Sequence, residues 1–251
     1  MECAEPLRGK CALVTGASSG LGAHFARVLA RRGARVLAAA RRVTALDALV
    51  AELRADGAAA QAVALDVRDR ACVEAALAAC GPLDIVINNA GVAQTKPALE
   101  VSEEDWQAVL DTNLSGAFRV AQAAARMMAT RGEGGVIVNV ASVLALRVAK
   151  QVPAYVAAKA ALVRLTEALA LEWSAHDIRV NALAPGYIVT DLNAAFLQSP
   201  AGAAMARRIP QRRFGTPADL DGALLLLAGP DGRYITGTTL VVDGGHSLAW
   251  L

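Results

Sequence analysis

Seven short apolar runs recur along the chain, each followed by a longer stretch with helical spacing, and this alternation constrains the fold more than any other feature. The runs are residues 11–15, 35–40, 62–65, 85–88, 136–140, 179–184 and 239–242. Most are apolar at every position rather than at alternate ones, as expected of strands covered on both faces. Helical periodicity occupies 21–32, 43–55, 71–79, a pair over 103–128, 154–174 and 217–227. Strand–helix–strand repetition requires right-handed crossovers between parallel strands. The expectation is an α/β fold with a doubly wound, parallel, seven-stranded sheet, a single domain over residues 1–251.

Composition narrows the function classes. Of 251 residues, 55% are hydrophobic and 19% charged, which excludes a disordered chain. A net charge of +2, with arginines interspersed among acids, argues against nucleic acid as a partner. Cys3, Cys11, Cys72 and Cys80 form no CxxC pair, and His24, His176 and His246 lack a second ligand at metal spacing, so no metal site is expected. The first ten residues hold an acid and no apolar core of a secretion signal, and no uncharged apolar run reaches the roughly 18 residues of a membrane span. A cytoplasmic protein with no membrane partner is expected. One segment breaks the rhythm: residues 185–213 carry Pro185, Gly186, Pro200, Gly202 and Pro210 around an apolar patch at 192–197. It reads as a substrate lid, about 186–213.

The first strand runs into Thr15-Gly16-Ala17-Ser18-Ser19-Gly20-Leu21-Gly22 and then an amphipathic helix. Glycine at a strand-to-helix turn lets backbone amides approach a pyrophosphate, and the helix start offers free N–H groups and a positive dipole end. Gly16, Ser18, Ser19, Gly20, Leu21 and Gly22 are therefore candidate cofactor contacts in a Rossmann fold. An acid at the end of the second strand would hydrogen-bond the adenosine ribose of NAD. That position falls near Ala40, and Arg41 and Arg42 follow. Guanidinium groups there suit the 2′-phosphate of NADP, so NADP(H) is favoured and NAD(H) stays possible. Asp66 and Val67 close the third strand, where an adenine is flanked. Asn89, Ala90 and Gly91 close the fourth, where small residues let the chain run beside a ribose and nicotinamide.

Tyr155 and Lys159 lie four residues apart in the 154–174 helix, on one face. A free tyrosine has a pKa of about 10. An ammonium about 4 Å away is worth roughly 4 kcal/mol at an effective dielectric of about 20, or about three pKa units before desolvation opposes it, which suits the phenol to proton transfer near neutral pH. Ser142 precedes Tyr155 by thirteen residues and follows the fifth strand, placed to polarise a carbonyl. Asn113, in a helical segment, is a poor helix former and needs a reason.

TGASSGLG from Thr15, NNAG from Asn88, Asn113, Ser142, YVAAK from Tyr155, PGYIVT from Pro185 and DGG from Asp243 occur in one order and spacing over most of the chain. In this the chain resembles the short-chain dehydrogenase/reductase family, in its shorter single-domain branch. The resemblance implies a ketone and secondary-alcohol oxidoreductase in which Tyr155 transfers the proton. Lys159 would bind the nicotinamide ribose and lower the tyrosine pKa, Ser142 would hold the substrate oxygen, and Asn113 would kink its helix and hold a relay water. Pro185, Gly186, Ile188 and Thr190 would meet the nicotinamide, with hydride leaving its 4-pro-S face. It also implies a homotetramer or homodimer, through the long helices and last strand; the apolar residues 224–227 and the tail 246–251, including Trp250, suit either such an interface or the core. One departure is Ser19, where NADP-using members often carry a basic residue.

Substrate contacts are expected from Ser142, Leu144, Gln151, Tyr155 and Tyr187, within a wall that also includes Val92, Gln94, Val143, Val152, Leu192 and Phe196. That wall suits a neutral, medium-sized small molecule: a ketone, cyclic carbonyl or polyol. Arg147, Arg207 and Arg208 suit a phosphopantetheine-linked acyl chain instead. An NAD-dependent polyol or alcohol dehydrogenase is the nearest alternative. A non-catalytic nucleotide-sensing protein is the alternative from another class, though it should lack Tyr155, Lys159 or Ser142. Epimerisation and dehydration call for a larger substrate domain, and enoyl reduction for a wider Tyr–Lys spacing.

Overall fold

The structure, a computed structural model, describes residues 5–190 and 193–249, with only the backbone of Phe196. Cys3, Leu192, Trp250 and the Phe196 side chain lie outside the described residues. Seven parallel strands form one sheet in the order β3-β2-β1-β4-β5-β6-β7. They are β1 Cys11–Thr15, β2 Arg35–Ala40, β3 Ala60–Ala64, β4 Ile85–Asn88, β5 Gly135–Val140, β6 Ile178–Pro185 and β7 Thr239–Val242. The order reverses between β1 and β4, so the connections leaving their C-terminal ends turn to opposite faces of the sheet and open the crevice in which such sheets bind ligands.

The strands are apolar throughout because both faces are covered. Ala12 and Val14 of β1 face a cluster with Phe25 and Leu29 of α1 (Gly20–Arg31), Leu46 and Leu49 of α2 (Val43–Ala55), and Leu224 and Leu227 of α9 (Asp221–Ala228). Cys11 and Leu13 of the same strand face the opposite cluster, with Val73 and Leu77 of α3 (Arg70–Cys80), Val120 and Met128 of α5 (Ala117–Arg131), and Leu169 of α6 (Pro153–Trp173). Leu224 and Leu227 are buried, so of the two roles open to residues 224–227 these two serve the core.

Local chemistry explains the ends. The Ser102 hydroxyl accepts from the Asp105 N–H, and the Asp105 carboxylate accepts from the Ser102 N–H, a reciprocal cap that starts α4 (Glu103–Leu110). Gly132, left-handed at φ 73°, ends α5. The helix pair expected over 103–128 is not continuous: Asp111–Gly116 forms a π turn between α4 and α5. Among the described residues of the 185–213 insertion, α7 (Ala194–Leu197) and α8 (Pro200–Ala206) supply two short helices. No helix of the described residues is long and apolar enough to cross a membrane.

Candidate active site

The C-terminal strand ends enclose a cleft of about 760 Å³. At one end lies the turn after β1. Gly16 and Gly20 are left-handed there, at φ +67° and +55°, which only glycine adopts without strain. Gly22, inside α1, does not line the cleft. A Cβ on it would lie 2.3 Å from the Gly16 carbonyl oxygen and 2.6 Å from Asn89 Nδ2, so it permits the helix to seat against the loop. Thr15 binds the two loops together: its hydroxyl accepts from the N–H groups of Asn89 and Ala90, both at 3.0 Å, while Asn89 Nδ2 donates to the Thr15 carbonyl at 3.0 Å.

Ser19 occupies the N-cap position of α1, yet its hydroxyl makes no capping bond. It accepts instead from the Arg42 guanidinium at 2.7 Å, which also donates to Ser18 at 3.0 Å. The start of α1 therefore presents uncapped N–H groups to the cleft, beside two hydroxyls and a guanidinium. Arg41 also lines the cleft but is exposed, and its influence reaches Asp66 only as a distant charge. Asp66 is ion-paired with Arg68 at 2.7 Å, and that bond holds its carboxyl at about 2. Leu21 and Val67 complete this end. The chemistry of this donor set fits a nucleotide bearing phosphates.

At the other end the cleft is lined by Ser142, Leu144, Tyr155, Lys159, Pro185 and Tyr187, with Ala90, Gly91, Gly186, Ile188 and Thr190 between. Ser142 follows β5, and its hydroxyl accepts from the Leu144 N–H at 3.1 Å. Tyr155 and Lys159 project from the first turns of α6. Lys159 is fully enclosed and donates to the Val140 carbonyl at 2.7 Å; burial lowers its pKa to about 8. Its Nζ stands 5.7 Å from the centre of the Tyr155 ring.

Of the opposing effects on Tyr155, desolvation leads. Burial raises the phenol pKa, while a hydrogen bond with Ser142 acts in the opposite direction. The Lys159 ammonium is hydrogen-bonded to a backbone carbonyl, and the net direction for the phenol in the free protein is upward. At neutral pH the phenol holds its proton, as a donor to a developing alkoxide requires.

Asn113 does not reach the cleft. Its Oδ1 accepts from the Val92 N–H and its Nδ2 donates to the Val92 carbonyl, both at 2.8 Å, so it clamps the loop after β4. The π turn supplies the departure from α-helical phase that points this side chain inward, a recurrent feature of functional helices. Gln151 is also absent from the cleft lining: it is exposed, with φ +66°, and its carbonyl accepts from the Lys96 N–H at 2.8 Å. A left-handed residue reverses the chain there, which takes its side chain out of the expected substrate wall.

Asn193 and Thr15 line the cleft without having been expected. Asn193 Oδ1 accepts from the Thr190 N–H at 2.8 Å and its Nδ2 donates to the Ile188 carbonyl at 2.9 Å, bracing the segment after β6. The Thr-x-x-Asn spacing, typical of a helix start, was the available signal.

The family model described as enoyl-(acyl carrier protein) reductase matches residues 16–247. D-threitol dehydrogenase of Mycolicibacterium smegmatis is 41% identical over 246 residues, covering 96% of this chain and 94% of that protein. Galactitol 2-dehydrogenase (L-tagatose-forming) of Cereibacter sphaeroides is 39% identical over 248 residues, with 96% of each chain covered. The crystal structure of a gluconate 5-dehydrogenase from Burkholderia cenocepacia, in complex with NADP and tartrate, superposes with a TM-score of 0.93 at 37% identity, covering 97% of both chains.

Proposed function

The chain belongs to the short-chain dehydrogenase/reductase family and is an NAD(P)-dependent oxidoreductase of alcohols and ketones; from that premise we propose that it acts on a polyol or its keto form with NADP(H). The single observation that carries this reading is one continuous cleft. It joins the uncapped start of α1 and Arg42 at one end to Ser142, Tyr155 and Lys159 at the other.

The residues of this cleft would hold a dinucleotide whose nicotinamide, when bound, would supply or accept the hydride. The chain's own residues do the rest. Gly16, Gly20 and the first turn of α1 hold the phosphates, and Arg42 with Ser18 and Ser19 reads the 2′-phosphate. Asp66 and Val67 flank the adenine, while Asn89, Ala90 and Gly91 pass beside the ribose. Pro185, Gly186, Ile188 and Thr190, braced by Asn193, orient the nicotinamide. Ser142 donates to the substrate oxygen, and Tyr155 gives that oxygen its proton in reduction and removes it in oxidation. Lys159 holds positive charge behind the phenol, and Asn113 fixes the loop that closes this end.

A polyol fits the substrate end because the described wall there is hydroxyl-bearing and apolar, and its one cation, Lys159, is bonded to Val140. The names of the threitol and galactitol dehydrogenases support the same class. The segment 186–213 serves as the substrate lid. The reading extends to a cytoplasmic homotetramer, with a homodimer as the smaller assembly. The free outer edge of β7 and the exposed Leu171 and Tyr234 support association.

The test begins with titration of the purified protein by NADPH and NADH, followed by nicotinamide fluorescence. NADPH is expected to bind the more tightly. Oxidation of four- to six-carbon polyols is then measured for the wild type and Tyr155→Phe, whose turnover should fall about 10²–10⁴-fold. Substantial residual activity in the variant would remove Tyr155 from the proton-transfer role, and failure to bind either nucleotide would overturn the enzyme reading.

A further inference from the structure

Tyr187 presents a phenol with nothing to bind. It lines the substrate end of the cleft, and among the described residues its hydroxyl has no hydrogen-bond partner. A half-buried polar group without a partner costs stability unless a ligand or solvent satisfies it. Its ring, in contrast, is fixed on two sides. Phe214 meets it edge-on at 6.3 Å between ring centres, and His246 packs at 5.4 Å.

His246 is held in place by a turn whose backbone is fully specified. Asp243 accepts from the N–H groups of Gly245 at 2.8 Å and Ser247 at 2.6 Å. Arg147, in the loop that follows Ser142, donates to the Ser247 carbonyl at 2.5 Å. Gly186, beside Tyr187, leaves the room this turn needs: a Cβ there would lie 2.7 Å from the Cα of Asp243. The segments after β6 and β7 thus meet at one ring, and the segment after β5 braces the turn that carries His246. The Nδ1 of His246 is buried without a partner among the described residues, so that edge of the imidazole contributes packing rather than a hydrogen bond.

We propose that Tyr187 is a specificity-determining residue that recognises a hydroxyl on the carbon next to the reacting one, and that His246 is its positioning residue. The substrate class is therefore a vicinal diol or its α-hydroxyketone. This rests on the polyol reading above. Ser142 and Tyr155 take the reacting oxygen, and the free phenol of Tyr187, on the same wall, takes the neighbouring one. Tyr187, Ser142 and Tyr155 line the same end of one cleft, as groups serving neighbouring oxygens must. A site built to hydrogen-bond a substrate hydroxyl discriminates against the analogue that lacks it.

The experiment compares 2,3-butanediol with 2-butanol as substrates of the full chain at saturating NADP⁺. The wild type is expected to favour the diol in kcat/KM. Tyr187→Phe should reduce the diol-to-alcohol ratio about 3- to 10-fold, the worth of one neutral hydrogen bond. His246→Ala should reduce it chiefly through KM, and His246→Phe, which keeps an aromatic ring against Tyr187, should restore most of it. An unchanged ratio in Tyr187→Phe overturns the recognition role, and equal behaviour of the two His246 variants overturns the positioning role. A wild type that oxidises both substrates equally well removes the diol proposal and leaves the dehydrogenase reading intact. A wild type that oxidises neither removes both.

Discussion

The two ends of the cleft are built from different materials. At the nucleotide end the geometry is made chiefly by backbone: left-handed glycines, an uncapped helix start, and two loops whose main-chain groups are tied by the short side chains of Thr15 and Asn89. At the chemical end it is made by side chains. Lys159 reaches a strand carbonyl, Asn113 grips a loop from a π turn, and Tyr187 is wedged between Phe214 and His246. A backbone-built site cannot accept added atoms, whereas a side-chain-built site tolerates small steric change and fails through electrostatics.

Paired glycine substitutions break or sharpen that contrast, and the largest effect on nucleotide binding is expected here. The Cβ of Gly22→Ala would meet the Gly16 carbonyl oxygen at 2.3 Å, and that oxygen belongs to the loop itself. Overpacking of this kind costs about 1–3 kcal/mol. In a domain of this size that lowers Tm by roughly 2–4 °C per kcal/mol. Because the strain falls on the phosphate loop, NADPH affinity should fall at least about tenfold as well. Gly91→Ala, at the chemical end, places its Cβ 3.2 Å from Asn113 Oδ1 and 3.7 Å from Lys159 Nζ, contacts that small side-chain shifts relieve. Thermal melts and NADPH titrations of both variants decide the matter. Equal loss in the two would show that the chemical end is as rigid as the loop.

The same contrast governs how much was legible in the sequence. Backbone-built features leave marks at fixed short spacings, so the turn after β1, the strand ends and the Arg41-Arg42 pair were readable by position. Strand boundaries were read to within two residues, because a sheet buried on both faces demands unbroken apolar runs. The chemical end was legible only where it is local, as in Tyr155 and Lys159 one helical turn apart. Gln151 was misread because a positive φ cannot be seen in a non-glycine residue. The inward clamp of Asn113 depends on a π turn, and no periodicity in the sequence marks one. His246 lies about sixty residues from Tyr187 and meets it only when β6 and β7 pair. The balance at Tyr155 is set by burial, which the spacing of Tyr155 and Lys159 does not reveal.

Lys159 gives the second test, because its cost lies in charge rather than volume. Its folded pKa, about 8, is depressed from the usual 10.5 by burial. Between those values the unfolded chain binds more protons than the folded one, so the stability contribution of this group rises with pH. Below about pH 8 both states are protonated and the full desolvation cost is present, on the order of 3 kcal/mol. The stability of the wild type relative to Lys159→Met, from denaturant unfolding without nucleotide, should therefore increase from pH 7.5 to 10. Turnover of the variant should still fall about 10²-fold or more, since the charge behind Tyr155 is gone. A stability difference that stays flat with pH would show that the buried ammonium is not desolvated as the fold indicates.

The smallest effect is expected where the nucleotide end departs from its own rule and uses a side chain. Arg42 is the exception to that backbone construction, with its guanidinium on Ser18 and Ser19. Neighbouring Arg41 is exposed and forms no hydrogen bond among the described residues. Arg42→Ala should weaken NADPH about tenfold, the lower end of what a hydrogen bond to a charged group contributes. NADH, which lacks the 2′-phosphate, should change by less than about twofold. Arg41→Ala should fall between, because a mobile guanidinium loses side-chain entropy when it engages. Parallel NADPH and NADH titrations of the two variants separate these cases. If Arg42→Ala weakened both nucleotides alike, its bonds to the serines would serve only to shape the loop, and the nucleotide end would be backbone-built without exception.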